Sequence, residues 1–354
     1  MSIDYTGAFE ILANRVWRTY RGGATLNRIE GVEGEDDHFP EDWIGSVTRA
    51  ANAGRESMAD EGVGKARACD GRVYSMEEIY QTDPDRALGS GHVQAFGPRP
   101  QLLVKLLDAA MRLHIQAHPS VSWSRRHLGA DSGKTEAWYI LETRDSDAWV
   151  YLGFQHPPTP EEWKRIVEKQ DIQAMERCFE KVPVRSGDVL LVEGGVPHAI
   201  GPGIFMVEVQ EPTDYVVRCE YAHGGLALPE SARTMGLGLD RVLDLFDYAA
   251  YPLSQIPERF GARPRALSSC ETVLLEAPQT DRLELRHIAC ATSAELALDE
   301  RFSILIALDG AGELSIDGRT WPLKAWSRYF LPAHIERACI RGSVRLLRAL
   351  PPKP

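Results

Sequence analysis

With 354 residues, 44% of them apolar, the chain is long enough for two or three modest domains that each bury a core. A formal net charge of −11 argues against nucleic acid and anionic membrane as partners, while leaving room for a local basic pocket that takes an anionic small molecule. The six cysteines are scattered without a Cys-x-x-Cys pair, which argues against a zinc–thiolate site; with no basic-then-apolar start and no run of about 18 apolar residues, the chain reads as a soluble cytoplasmic protein with reduced thiols.

In chain order, residues 10–50 read as short strands and turns, with Arg21-Gly22-Gly23 as a turn signal and Glu35-Asp36-Asp37-His38 as a solvated loop. Residues 75–95 read as helical, then loop through Gly89-Ser90-Gly91. Leu102-Leu103-Val104-Lys105-Leu106-Leu107 fits a helix or a buried strand by pattern alone, and the alternation after Arg112 favours a strand pair. Thr159-Pro160-Glu161-Glu162 has the marks of a helix start: Thr as N-cap, Pro at the first position, acids in the first turn. Trp163, Ile166 and Val167 then form a stripe for core packing, so 158–180 reads as a helical insertion in a mainly β chain. A second helical stretch is expected over 228–249. From 253 onward strands return, with Asp309-Gly310-Ala311-Gly312 and Asp317-Gly318 as hairpin turns. Many short strands between turn signals predict barrels or jelly rolls.

Chemistry concentrates in three places. Gln116 and His118, two apart in Leu113-His114-Ile115-Gln116-Ala117-His118-Pro119, share one face of a strand; His114 is on that face too. Glu136 closes Gly133-Lys134-Thr135-Glu136, with Lys134 two residues before it and so on the same face of an expected strand. His198 stands in Gly195-Val196-Pro197-His198-Ala199-Ile200-Gly201. Two imidazoles, a carboxylate and an amide oxygen would hold a borderline divalent ion such as zinc and leave room for water or substrate. His127, His156 and His223 read as loop residues without a signal.

The stretch from Gly187 to His198 is similar to the second motif of the cupin barrel, with Glu193 where its proline usually stands. The same spacing applied to Pro332-Ala333 meets Arg337 where a histidine belongs, so the second barrel looks like a cupin without a metal, and His334 and Glu336 read as rim residues. The chain resembles the class I, zinc-dependent phosphomannose isomerases of the cupin superfamily, more weakly in its carboxy-terminal third. The landmarks are Glu41-Asp42-Trp43-Ile44-Gly45-Ser46, Leu102-Leu103-Val104-Lys105, Gln116-Ala117-His118-Pro119, Gly133-Lys134-Thr135-Glu136-Ala137-Trp138, Gly195 to Gly201 and Glu208-Val209-Gln210, in the family's order over residues 10 to 225.

The resemblance implies one zinc ion held by Gln116, His118, Glu136 and His198. It implies two cupin-type β-barrels: a metal-binding catalytic domain over 1–225, a helical segment over 226–252, and a metal-free second domain over 253–354. It implies an aldose–ketose isomerase that converts mannose 6-phosphate to fructose 6-phosphate through a cis-enediol, with a sugar or sugar phosphate as its partner. Lys134, Glu208 and Arg218 are then the candidate catalytic residues, with Lys134, Glu208 and a metal-held water as the proton-transfer groups, and Lys134, Arg218 and His114 the candidates for holding substrate. The family's Trp-Gly-Gly is displaced into Trp17-Arg18-Thr19-Tyr20-Arg21-Gly22-Gly23, its serine is His114, and Arg218 stands about one residue off register. These departures imply weaker use of the phosphate or a different sugar, and they keep a non-catalytic sugar-binding cupin as an alternative. An iron-dependent cupin oxygenase is a third reading. If His114 meets phosphate as an imidazolium, affinity should fall as pH rises through about 6.5.

Overall fold

Backbone hydrogen bonding in the computed structural model, which describes residues 3–354, runs mainly between antiparallel strands. One sheet of six strands has the order Val189–Val192, Glu136–Thr143, Ile204–Gln210, Leu103–Ala109, Glu41–Ile44, Arg15–Val16. It faces a sheet of five in the order Val182–Pro183, Trp149–Leu152, His198–Ile200, Gln116–Ala117, Val217–Arg218. Between them lies a core that includes Leu107, Trp138, Val150, Leu152 and Ile200. The outer face of the six-stranded sheet, with Val104, Leu106, Val207 and Val209, packs against Ile304, Ile306, Phe330 and Leu347 of an eleven-stranded sheet. The mainly β, two-cupin reading holds, and the expected helix Pro160–Lys169 is present with a full Thr159/Glu162 capping box.

Leu103–Ala109 is buried on both faces, which is why its sequence is a nearly continuous apolar run rather than an alternation. Sheet membership also cuts across chain order. Phe9–Ile11, Lys65–Arg67 and Val73–Ser75 complete the eleven-stranded sheet alongside strands that begin at Arg265. Asp42 reaches from the first lobe to pair with Arg328 of the second.

Four local expectations are corrected. Residues 24–30 form a helix, Ala24–Glu30, whose first amides donate to Asp108 Oδ2 from Gly23 (3.1 Å) and Thr25 (2.7 Å). The cap comes from a strand more than 80 residues away, so no local signal announces it. Residues 89–91 are not a loop after a helix: Gly89 is the joint before a further helix, Ser90–Phe96. The region 228–249 is not one helix but short turns, broken where Met235, Gly236 and Gly238 take positive φ. Asp309-Gly310-Ala311-Gly312 lies inside the strand Ser303–Ile316 at a register shift, where a Cβ on Gly310 would stand 2.1 Å from the Ser343 carbonyl oxygen. Asp317-Gly318 does turn a hairpin, between Ser303–Ile316 and Arg319–Lys324.

Gly22 fixes the approach of the Arg18–Tyr20 segment to the sheet. A Cβ there would come within 1.7 Å of the Asp108 carbonyl oxygen. Gly22→Ala should therefore destabilise by roughly 1–3 kcal/mol through forced backbone displacement. Urea denaturation checks this, and an unchanged midpoint would contradict it.

Candidate metal centre and its pocket

Gln116 is the middle of three neighbouring strands: it pairs with His198 on one side and Arg218 on the other. His118 lies just past the end of its strand, and Glu136 opens the strand of the opposing sheet. The two sheets thus bring His118, Glu136 and His198 together, with one donor atom from each within 4.8 Å of the others. All three are buried. His118 Nε2 is 3.1 Å from Glu136 Oε1, and His198 Nε2 is 3.8 Å from Glu136 Oε2.

Each imidazole is oriented from behind. His118 Nδ1 donates to the Tyr215 carbonyl at 2.7 Å and His198 Nδ1 to the Val196 carbonyl at 2.9 Å, which leaves both Nε2 lone pairs facing the centre. Trp138 Nε1 donates to Glu136 Oε2 at 3.1 Å. Glu136 Oε1 is buried and ion-pairs with Lys134 Nζ at 2.7 Å. Burial opposes the charge of Glu136, but Lys134 and His118 outweigh it and hold the carboxyl well below its usual range. Burial, then Lys134, pushes His118 down to about 3, and burial lowers His198. Neutral imidazoles and a carboxylate have the donor chemistry that a borderline divalent cation needs. The Gln116 amide nitrogen lies 3.3 Å from His198 Nε2, so the amide borders that set.

Lys134 was expected on the strand of Glu136. It stands instead in the loop before it, yet its Nζ also reaches His118 Nε2 at 3.1 Å. Glu208 is buried on Ile204–Gln210 and faces the same cavity. Gln210, two residues on, donates to the Glu211 and Thr213 carbonyls and holds that turn. Arg218 lines the cavity too, with Nη1 donating to the Ala232 carbonyl at 2.9 Å. Burial and then Arg18 lower Arg218 to about 10. Among the described residues it has no carboxylate within ion-pair distance, unlike Arg18, Lys105 and Lys134.

His114 lies in the pocket wall, with Nδ1 on the Glu220 carbonyl at 3.1 Å and Nε2 3.4 Å from Thr19 Oγ1. Burial, Arg218 and His223 hold it down to about 3, so the imidazolium considered from the sequence is not the form present near neutral pH. His223 is not a bystander: its ring lies 5.1 Å from that of His114. Away from the centre, His334 and Glu336 are exposed, as is Arg337.

Sequence reasoning gave no role to the polar floor of this pocket. Lys105 Nζ contacts Glu208 at 2.8 Å and Glu41 at 3.6 Å, and Glu41 also takes Tyr20 Oη (2.7 Å) and Trp43 Nε1 (2.6 Å). Arg18 forks onto Asp214 through two 2.9 Å bonds. Burial, then Glu136, raises the Glu208 carboxyl, while Glu208 and Glu41 overcome burial to keep Lys105 charged. A lone lysine inside an apolar run was the available signal for this network. The space between these walls is about 420 Å³, counting the part open to solvent.

No family model matches the chain. Among curated proteins it is similar to a probable mannose-6-phosphate isomerase, GmuF, of Bacillus subtilis, with 28% identity over 250 residues that cover 71% of this chain and 75% of that protein. It is 28% identical over 244 residues to the mannose-6-phosphate isomerase ManA of the same organism, covering 68% of this chain and 71% of that one. Its fold matches the crystal structure of a mannose 6-phosphate isomerase from Bacillus subtilis with a TM-score of 0.75, at 19% identity and with 97% and 99% of the two chains covered. No helix among the described residues is long and apolar enough to cross a membrane. The resemblance to the class I phosphomannose isomerases thus holds in sequence, through curated relatives named as mannose-6-phosphate isomerases, and in fold over nearly the whole chain, through the crystal structure of a mannose 6-phosphate isomerase.

Proposed function

We propose that the chain is a zinc-dependent aldose–ketose isomerase that interconverts mannose 6-phosphate and fructose 6-phosphate. The observation that carries this reading is the convergence of His118, Glu136 and His198 beside a cavity lined by Lys134, Glu208 and Arg218. Gln116, His118, Glu136 and His198 would hold the metal. When bound, it supplies Lewis-acid stabilisation of the negative charge that develops on the sugar oxygens during proton removal.

The residues of the chain do the rest. Conversion takes a proton from C2 of the open-chain aldose; the C–H electron pair becomes the C1–C2 double bond and the carbonyl oxygen gains a proton, giving an enediol. Collapse of the enediol gives up the proton on the C2 oxygen, whose O–H pair forms the C2 carbonyl, while the C1–C2 double-bond pair takes a proton at C1. Glu208 and Lys134 are the groups on the cavity that hold or accept such a proton. The raised Glu208 carboxyl is the better matched of the two to accept and return it.

Arg218 is the anchor for the phosphate, since it is a buried cation that lacks a carboxylate partner and faces the cavity. Arg218→Ala should raise the KM for mannose 6-phosphate roughly thirtyfold or more and spare metal content. Steady-state kinetics with elemental analysis checks this; an unchanged KM would remove Arg218 from the phosphate subsite. The activity itself is tested by following fructose 6-phosphate formed from mannose 6-phosphate by the metal-loaded protein.

A further inference from the structure

We infer that Arg348 and Ser303, in the core enclosed by the eleven-stranded sheet, form a site for one monovalent anion of the size of chloride. The inference is independent of the isomerase reading.

The strand register puts charge where such a core is ordinarily apolar. Arg286 and Arg348 stand directly opposite each other on Glu284–Cys290 and Arg337–Leu350, and Arg348 also stands opposite Leu305. Two-residue alternation places them on the inner face, in line with the core residues Ile288, Leu346 and Leu305. Like charges directly opposed on neighbouring strands are destabilising. Both of these are buried, Arg348 at 0% exposure. Burial and then Arg286 lower Arg348 to about 10, so it is still a cation near neutral pH.

The carboxylates nearby are committed to other cations. Glu284 accepts from Arg286 and Arg301. Asp299, in contact with solvent, reaches Arg286 at 3.1 Å and Arg301 at 3.7 Å. Glu271 Oε1 is shared between Arg286 at 3.2 Å and Arg348 at 3.4 Å. Among the buried side chains of this cluster, Arg286, Arg301 and Arg348 face only Glu271 and Glu284, an excess of one positive charge.

That excess falls at one edge of one guanidinium. Arg348 Nη1 donates to the Ala297 carbonyl at 2.8 Å and to Glu271, and Nε donates to Ser303 Oγ at 3.1 Å. Nη2 has no hydrogen-bond partner among the described residues. Nε and Nη2 present parallel hydrogens on one edge of the planar group, so Ser303 sits beside the unpartnered Nη2. Its oxygen accepts from Nε, which leaves its own hydrogen to donate. Buried donors without a partner are costly. A water molecule would bring two more hydrogens to a place already rich in them. A monovalent anion brings acceptors alone and cancels the excess, whereas a dianion would overshoot it. The full burial of Arg348 requires that anion to be small.

The test uses the metal-loaded full chain. Crystals soaked in bromide should show an anomalous peak within hydrogen-bonding reach of Arg348 Nη2 and Ser303 Oγ. At equal ionic strength, chloride in place of the bulky isethionate should raise the wild-type Tm by roughly 2 °C or more. Ser303→Ala should keep only part of that gain, and Arg348→Met, which preserves most of the volume, none of it. If Arg348→Met does not fold, Ser303→Ala and the wild-type crystal still decide. Absence of the bromide peak, a wild-type Tm that does not distinguish chloride from isethionate, or a gain kept in full by Ser303→Ala or Arg348→Met would overturn the inference. A gain kept in full by both variants would place the halide elsewhere, the metal centre included.

Discussion

His198→Ala is expected to abolish isomerisation and to leave the protein without stoichiometric metal. His198 is buried, its Nε2 is aimed at Glu136 from 3.8 Å, and its Nδ1 is fixed by the Val196 carbonyl. Alanine removes one of two imidazoles and leaves a donor set too small to hold a borderline cation. Loss of an outer partner of a metal ligand typically costs roughly 10–100-fold in affinity or activity, and loss of the ligand itself should exceed that. Elemental analysis and turnover on the same preparation check the expectation. Full metal content with unchanged turnover would remove His198 from the centre.

Lys105→Met carries the largest expected effect on stability. Lys105 is 1% exposed, lies over the Trp43 ring at 5.1 Å and is the cation between Glu208 and Glu41. Methionine fills much of the same volume, but it removes the direct partner of Glu208 and leaves Glu41 with Arg18 alone. Breaking a buried ion pair from one side costs roughly 3–5 kcal/mol. The double variant Lys105→Met/Glu208→Gln should recover part of this, because it removes the charge that has lost its direct partner. Equilibrium urea unfolding of the three proteins provides the cycle. A single variant within about 1 kcal/mol of wild type would show that the interior tolerates the charges through water.

What could be read from the sequence follows from the range of the interactions involved. The nearness of Gln116 and His118 and the turn before His198 were legible because period-two alternation and short turn motifs are local. The helix Pro160–Lys169 was legible because its cap, its proline and its acids all lie within four residues. The helix Ala24–Glu30 was not, because its capping carboxylate is Asp108 on another strand. Lys134 was assigned to a strand that begins two residues later, and it reaches the centre through side-chain length instead. The Arg18–Asp214 fork joins residues 196 apart in sequence, and pairing at that range leaves no periodic trace. The glycines at 310 and 312 carry the composition of a turn, but the close approach of Ser343 and Arg341 explains them better.

The central claim is that the buried His–Glu–His group makes the protein a metal-dependent aldose–ketose isomerase. The most direct measurement is to strip the protein with a chelator, return zinc in sub-stoichiometric steps, and record fructose 6-phosphate formed from mannose 6-phosphate at each step. The stripped protein should show no turnover, and activity should rise linearly and level at one zinc per chain. Turnover independent of added metal, or none with one zinc bound per chain, would contradict it.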